Sequence, residues 1–309
     1  MPYSARMQKS HLCSIFFAPR GNERMADLGM QIAQQYLSPF DKLIGLVGVA
    51  GSGKSMIIKG MFPGLELTND DEGVNVRPLP LLNVDETGFY TPHTYHIDVR
   101  FESAFRQMHE LADAILYAIG KGKRVVVEHF DLLYHQLGRN AHLLIGIGQE
   151  VIITRPTLFG PKPQEITDIV FKSITSRLMV HTAEDLCECV LGKLGIESHL
   201  YEHADVHRGF ILSFQNKPDI DLDALEEKVN EMIGMDLTVS YADESHIRIG
   251  EELHKCTGPR MHVRSTGEIK MFTLLKELLQ EPITERYLMV GVLGEIDDIN
   301  DLNHIVLQM

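Results

Sequence analysis

The sequence predicts two domains: an α/β domain with a mostly parallel sheet over residues 1–160, then an α+β domain over 161–309. Three observations predict this. Short, nearly continuous apolar runs alternate with helical stretches through the first half, as strands covered on both faces do. Pro156, Gly160, Pro161 and Pro163 fall within eight residues and read as a linker. The chain has 309 residues, 44% of them apolar, which at about 100–200 residues per domain is enough for two cores.

The elements follow in order. Asn22–Leu37 carries Met25, Leu28, Ile32 and Leu37 at helical spacing, and Ser38-Pro39-Phe40 breaks it. Leu43–Val47 is a buried-strand run, and Leu65–Thr68, Arg124–Glu128 and Glu150–Thr154 are further strands. Phe101–Ile119 is the clearest helix between them. Beyond the linker, Gln164–Leu194 reads as one long helix or two, Phe210–Phe214 as a strand, and Asp221–Ile233 as an amphipathic helix. Leu237–Tyr241 is a strand, Lys270–Leu279 a helix and Tyr287–Leu293 a last strand.

The chain holds 29 basic and 43 acidic residues, a net charge of −14. Residues 1–150 contain 14 basic and 16 acidic ones, which leaves 15 and 27 for 151–309. An acidic second half argues against a broad nucleic-acid footprint, although Arg260, Arg264 and Lys270 lie close together. No run of about 18 apolar residues is present, so no membrane span is expected. The four cysteines read as reduced thiols, which implies a cytoplasmic protein.

Gly48-Val49-Ala50-Gly51-Ser52-Gly53-Lys54-Ser55 satisfies G-x-x-x-x-G-K-[ST] and sits between a strand and a helix. The residue types suit a polyphosphate. Gly48, Gly51 and Gly53 let the backbone curl, so that its N–H groups, with that of Ser52, face phosphate oxygens. Lys54 reaches the terminal phosphates and Ser55 offers a hydroxyl to Mg²⁺. A nucleoside triphosphate is therefore the expected ligand. ATP is expected over GTP, on the reading that no guanine-reading N-K-x-D motif appears.

A carboxylate at a neighbouring strand end completes such a site. Val125-Val126-Val127-Glu128-His129 and Leu65-Glu66-Leu67-Thr68-Asn69-Asp70-Asp71 both end in acids. This arrangement resembles the uridine-kinase-like and related small P-loop kinases. By that resemblance Asp70 or Asp71 is the base that accepts a substrate proton, and Glu128 is the carboxylate on the Mg²⁺ side. His129 stands where that family often has Gly. Asp70-Asp71-Glu72 reads equally as a solvated loop, and only isolated arginines, Arg139 and Arg155, are available for a lid.

In the second domain, Cys256 to Phe272 resembles the C-G-G-T-H-V-x-x-T-G-E-I-G-x-F signature of the alanyl-tRNA synthetase editing domain. The same module occurs in threonyl-tRNA synthetase and in free-standing editing proteins. His181-Thr182-Ala183-Glu184-Asp185-Leu186 resembles its H-T-A-T-H-L-L helix, and Asp205–Phe214, Leu225–Ile233 and Tyr287–Gly294 follow in the family's order. The resemblance implies one Zn²⁺ held by His181, Asp185, Cys256 and His262. Two departures stand out: Asp185 replaces a His, and the interval from Cys256 to His262 is two residues longer. The same residues also read as a lost metal site, with His181 on a helix face and Cys256 a buried thiol. His254 is a substitute ligand. His203 and His207 read as ordinary histidines, and Cys187 and Cys189 as core thiols.

Three functions fit these features. One is a kinase or nucleoside triphosphatase. The second is an aminoacyl-tRNA deacylase acting in trans and regulated by nucleotide. The third is a nucleotide-gated sensor of an amino acid or an aminoacylated ligand.

Overall fold

The computed structural model describes residues 13–68, 80–83, 93–294 and 302–303. Contacts divide the chain into two units. The first is the chain up to Phe16 with Glu23–Lys172, and the second is Phe17–Asn22 with the chain from Ser173. Asp70 and Asp71 lie outside the described residues.

The first unit is built on β1 (Cys13–Phe17), β2 (Leu43–Gly48), β3 (Thr94–Asp98), β4 (Arg124–Glu128), β5 (Leu143–Ile147) and β6 (Glu150–Thr154). Their order in the sheet is β1-β6-β5-β2-β4-β3. β5, β2, β4 and β3 pair in parallel, and β6 turns back antiparallel to β5 across Gly148-Gln149. Every residue of β2 and β5 is buried, which is why these strands read as apolar runs rather than as alternation. Helices Asn22–Tyr36, Lys54–Met61, Met108–Gly120 and Phe130–Leu137 connect or flank the strands.

Two expectations fail here for local reasons. Leu65–Thr68 forms no strand: it follows Gly64, whose φ is +83°, and the Thr68 N–H is spent on the His96 ring rather than on a ladder. The place beside β4 belongs to β3. The helix expected over Phe101–Ile119 is two helices, Val99–Glu102 and Met108–Gly120. The Asp98 carboxylate caps the first by accepting from the N–H groups of Arg100 and Phe101. Glu110 accepts from the Gln107 N–H at the start of the second.

In the second unit the last part of the helix Pro163–Lys193 and the helix Leu222–Gly234 accompany two antiparallel sheets. One contains β7 (Tyr201–Val206) and β8 (Gly209–Phe214); the other is formed by β9 (Val239–Asp243), β10 (His246–Ile249) and β11 (Glu252–Lys255). β12 (Phe272–Leu274), β13 (Leu279–Gln280) and β14 (Tyr287–Leu293) complete the first of these, in the order β12-β14-β8-β7 with β13 also on β14. Leu186, Cys187, Leu191, Phe210, Leu225 and Phe272 belong to its core. The helix expected over Lys270–Leu279 is replaced by β12 and β13. Met271 sits at φ +53°, which stops a right-handed helix, and Phe272 and Leu274 then alternate inward along a strand. Among the described residues no helix is long and apolar enough to cross a membrane.

Candidate functional site

β2 runs into the glycine loop, and β4 lies hydrogen-bonded beside it, with Leu46 opposite Glu128. Gly48 and Glu128 therefore reach the same edge of the sheet. Gly51 and Gly53 adopt φ of +80° and +100°, the region that favours glycine. At Gly53 a side chain would also strike the Met25 methyl, 2.5 Å from where a Cβ would stand. Ala50 and Gly51 at the loop tip are exposed, whereas Ser52 and Lys54 are buried. The helix Lys54–Met61 starts directly after the loop and aims its positive end at it.

Lys54 folds over the loop and donates to the Gly48 carbonyl at 3.3 Å and the Val49 carbonyl at 2.9 Å. Its Nζ stands 4.0 Å from Glu128 Oε2. Burial lowers the Lys54 pKa, against the pull of Glu128 and Asp98. The Ser55 hydroxyl donates to Glu128 Oε1 at 2.9 Å.

His96 was not anticipated. Its Nδ1 accepts the Thr68 N–H at 3.0 Å, so the proton of the neutral ring is on Nε2, which stands 3.2 Å from Glu128 Oε1 and donates to it. Burial works to raise the Glu128 carboxyl, but the His96 hydrogen bond, Lys54 and Ser55 outweigh it and hold the group below its ordinary value. A strand-end carboxylate with a buried imidazole behind it is a tertiary arrangement: His96 comes from β3, whose sequence lacks a motif.

His129 follows Glu128 at φ +56°, the left-handed region, which accounts for the glycine often found there in the family that this strand resembles. Burial, helped by the Lys54 charge, pushes its pKa down to about 4, so the ring is neutral at pH 7. Asp98, Glu128 and His129 bring one ligand atom each within 4.8 Å of one another. Burial raises the Asp131 carboxyl, whose Oδ1 has no hydrogen-bond partner among the described residues.

Neither arginine considered for a lid serves as one. Arg155 makes two hydrogen bonds to Asp41, and Arg139 is exposed beside His142. Asn216-Lys217-Pro218-Asp219 does have the N-K-x-D spacing, but it is mostly exposed and belongs to the second unit, after β8.

The second unit gathers three of the four residues expected to hold zinc. Asp185, Cys256 and His262 bring ligand atoms within 4.8 Å of one another. Cys256 Sγ lies 3.2 Å from His262 Nε2, which lies 3.3 Å from Asp185 Oδ2. His181 is buried but is not in this group. His254 Nε2 stands 3.3 Å from Asp185 Oδ1, and its Nδ1 lies 3.2 Å from Cys189 Sγ. Cys189 is thus half-buried beside an imidazole, while Cys187 is in the core as expected. His203 is a satisfied histidine, as expected, hydrogen-bonded to Glu184 at 2.6 Å.

Arg20, which carries no local sequence signal, is buried in this centre. It pairs with Glu184 at 2.8 Å, Glu188 at 3.2 Å and Asp185, and donates to Cys256 Sγ at 3.5 Å. Glu184, Asp185 and Glu188 all come from the helix Pro163–Lys193, and buried acids call for a cation. Beside it a cleft of about 630 Å³ is lined by Cys189, Lys193, Tyr201, His203, His254 and Lys255, among others. Arg260 is held by Glu244 at 2.6 Å and lies over the Tyr241 ring.

No family model matches the chain, and no curated protein matches it in sequence.

Proposed function

We propose that the first unit binds a nucleoside triphosphate with Mg²⁺ and uses it for phosphoryl transfer or hydrolysis. The observation that carries this reading is the meeting of the glycine loop, Lys54, Ser55 and Glu128 at one edge of a parallel sheet. The loop N–H groups and the helix end favour phosphate oxygens. Lys54 exchanges its two carbonyl acceptors for phosphate, a charge-assisted and stronger partner. Ser55 and Glu128 present hard oxygen donors 2.9 Å apart, a set that suits Mg²⁺. Mg²⁺, when bound there, neutralises charge that develops on the transferring phosphoryl group. His96 fixes the Glu128 carboxylate, and the half-buried Asp131 is a candidate to take up a proton.

The test is titration calorimetry of the full chain with Mg·ATP and Mg·GTP, followed by assay of released phosphate. Binding of ATP in preference to GTP is expected; heat for neither nucleotide would end this reading. His96→Ala should lower the Mg²⁺ affinity of the nucleotide site roughly tenfold or more, as loss of a partner behind a metal ligand does, with His96→Gln in between. An unchanged Mg²⁺ titration would remove His96 from the site.

The cleft in the second unit supports a second reading, a binding site for an amino acid or an aminoacylated ligand such as aminoacyl-tRNA. Deacylation in trans is its enzymatic form. Incubation with Ser- or Gly-charged tRNA for alanine separates the two: release of the amino acid above buffer supports hydrolysis, and binding without release supports a sensor.

A further inference from the structure

Glu184, Asp185 and Glu188 place three carboxylates on about one turn of helix, and their side chains are 1%, 0% and 10% exposed. Carboxylates removed from water in this way must be paired or must hold a metal. The resemblance to the editing domain implies zinc here, yet the fourth residue of the implied set, His181, stays outside the group. A cation already stands among these acids. One terminal nitrogen of Arg20 meets Glu184 and Glu188, and the other meets Asp185 and Cys256 Sγ, two of the atoms that a metal would need.

We propose that Arg20 stands in for a divalent cation at the Asp185–Cys256–His262 centre, so that the second unit folds without metal. Cys256, His262 and Thr182 find partners without an ion. The Gly258 N–H donates to Cys256 Sγ at 3.3 Å. The Thr182 hydroxyl gives its one proton to the Leu178 carbonyl at 2.9 Å and accepts from the Val263 N–H at 3.2 Å. Towards His262 Nδ1, 3.3 Å away, it can therefore only accept, so the ring carries its proton on Nδ1. His262 Nε2 is then an acceptor facing Cys256 Sγ at 3.2 Å, and the thiol hydrogen satisfies it. Asp185 Oδ2, 3.3 Å from His262 Nε2, shares the charge of the carboxylate that Arg20 holds, and His254 Nε2 stands 3.3 Å from its Oδ1.

This also explains the departure at residue 185. An imidazole is a metal ligand but a poor partner for a guanidinium, whereas a carboxylate pairs with it through charge and hydrogen bonds.

The experiment measures zinc in the full chain, purified without chelator, by plasma mass spectrometry, and then records the absorption of the protein with added Co²⁺. The wild-type chain should carry well below about one zinc per molecule and show no thiolate-to-cobalt band. Arg20→Met, which removes the cation and keeps the stem, should gain about one zinc per chain and the cobalt band, and Cys256→Ser in that background should lose both. Arg20→Lys should stay metal-free. A wild-type chain with one zinc overturns the proposal, and so does a folded Arg20→Met protein that takes none. If Arg20→Met does not fold, the wild-type zinc content decides alone. Nucleotide binding plays no part in these readouts.

Discussion

Lys54→Ala should lower the affinity for Mg·ATP roughly 100-fold or more. A hydrogen bond to a charged group contributes about 1.5–3 kcal/mol, and an ammonium that bridges two phosphates makes two of them. One further effect adds to the loss. Glu128, 4.0 Å from Nζ, would face the incoming anion with one positive neighbour fewer. Lys54→Met keeps the buried stem and should lose nearly as much, which separates charge from packing. Ser55→Ala should behave differently: its main effect falls on the Mg²⁺ dependence, since its hydroxyl points at Glu128. Calorimetry on folded variants, checked by circular dichroism, reads all three. Retained affinity in Lys54→Met would sink the assignment of this loop.

What the sequence revealed and what it hid follow from the range of each interaction. β2, β4 and β6 were legible because each is a short apolar run whose burial is nearly complete. The glycine loop was legible because its requirements are local: positive φ at fixed positions, then a lysine and a hydroxyl. Leu65–Thr68 misled because an apolar run beside a Pro-Gly pair carries the same pattern whether or not a neighbouring strand accepts it. His96 and Arg20 were hidden because nothing near them in sequence marks them; each finds its carboxylate across a fold, 32 and 165 residues away for Glu128 and Asp185 respectively. Glu184 and Asp185 stood within a quoted motif, but Glu188 and the cation among these acids were not foreseen.

Asp41→Ala should destabilise the first unit by about 3–5 kcal/mol, the cost of leaving one partner of a buried ion pair uncompensated. Asp41 accepts from Arg155 through both oxygens, at 2.6 and 2.8 Å, and its Oδ2 also takes the Ser38 N–H at 2.7 Å. Arg155 further donates to the Tyr36 carbonyl, and Arg124 donates to the carbonyls of Asp41 and Ser38. The pair thus fastens the turn before β2 to the residue after β6, at the edge of the sheet away from the glycine loop. Burial works to raise the Asp41 carboxyl, but the Arg155 and Ser38 hydrogen bonds and the Arg155 charge hold it below its ordinary value. A depressed folded-state pKa has a definite sign. The stabilisation is fully present above the unfolded value of about 4 and is lost as pH falls through the lower folded value. Urea unfolding should therefore show the gap between wild type and Asp41→Asn narrowing below about pH 4 and constant near neutrality. Because the pair lies at the far edge, nucleotide affinity of the folded Asp41→Ala protein should stay within about threefold of wild type, whereas an arginine that served as a lid over phosphate would carry a loss comparable to that of Lys54. Arg155→Met sets the two roles against each other directly: lower stability with unchanged affinity is the expected result, and the reverse would return Arg155 to the phosphate site.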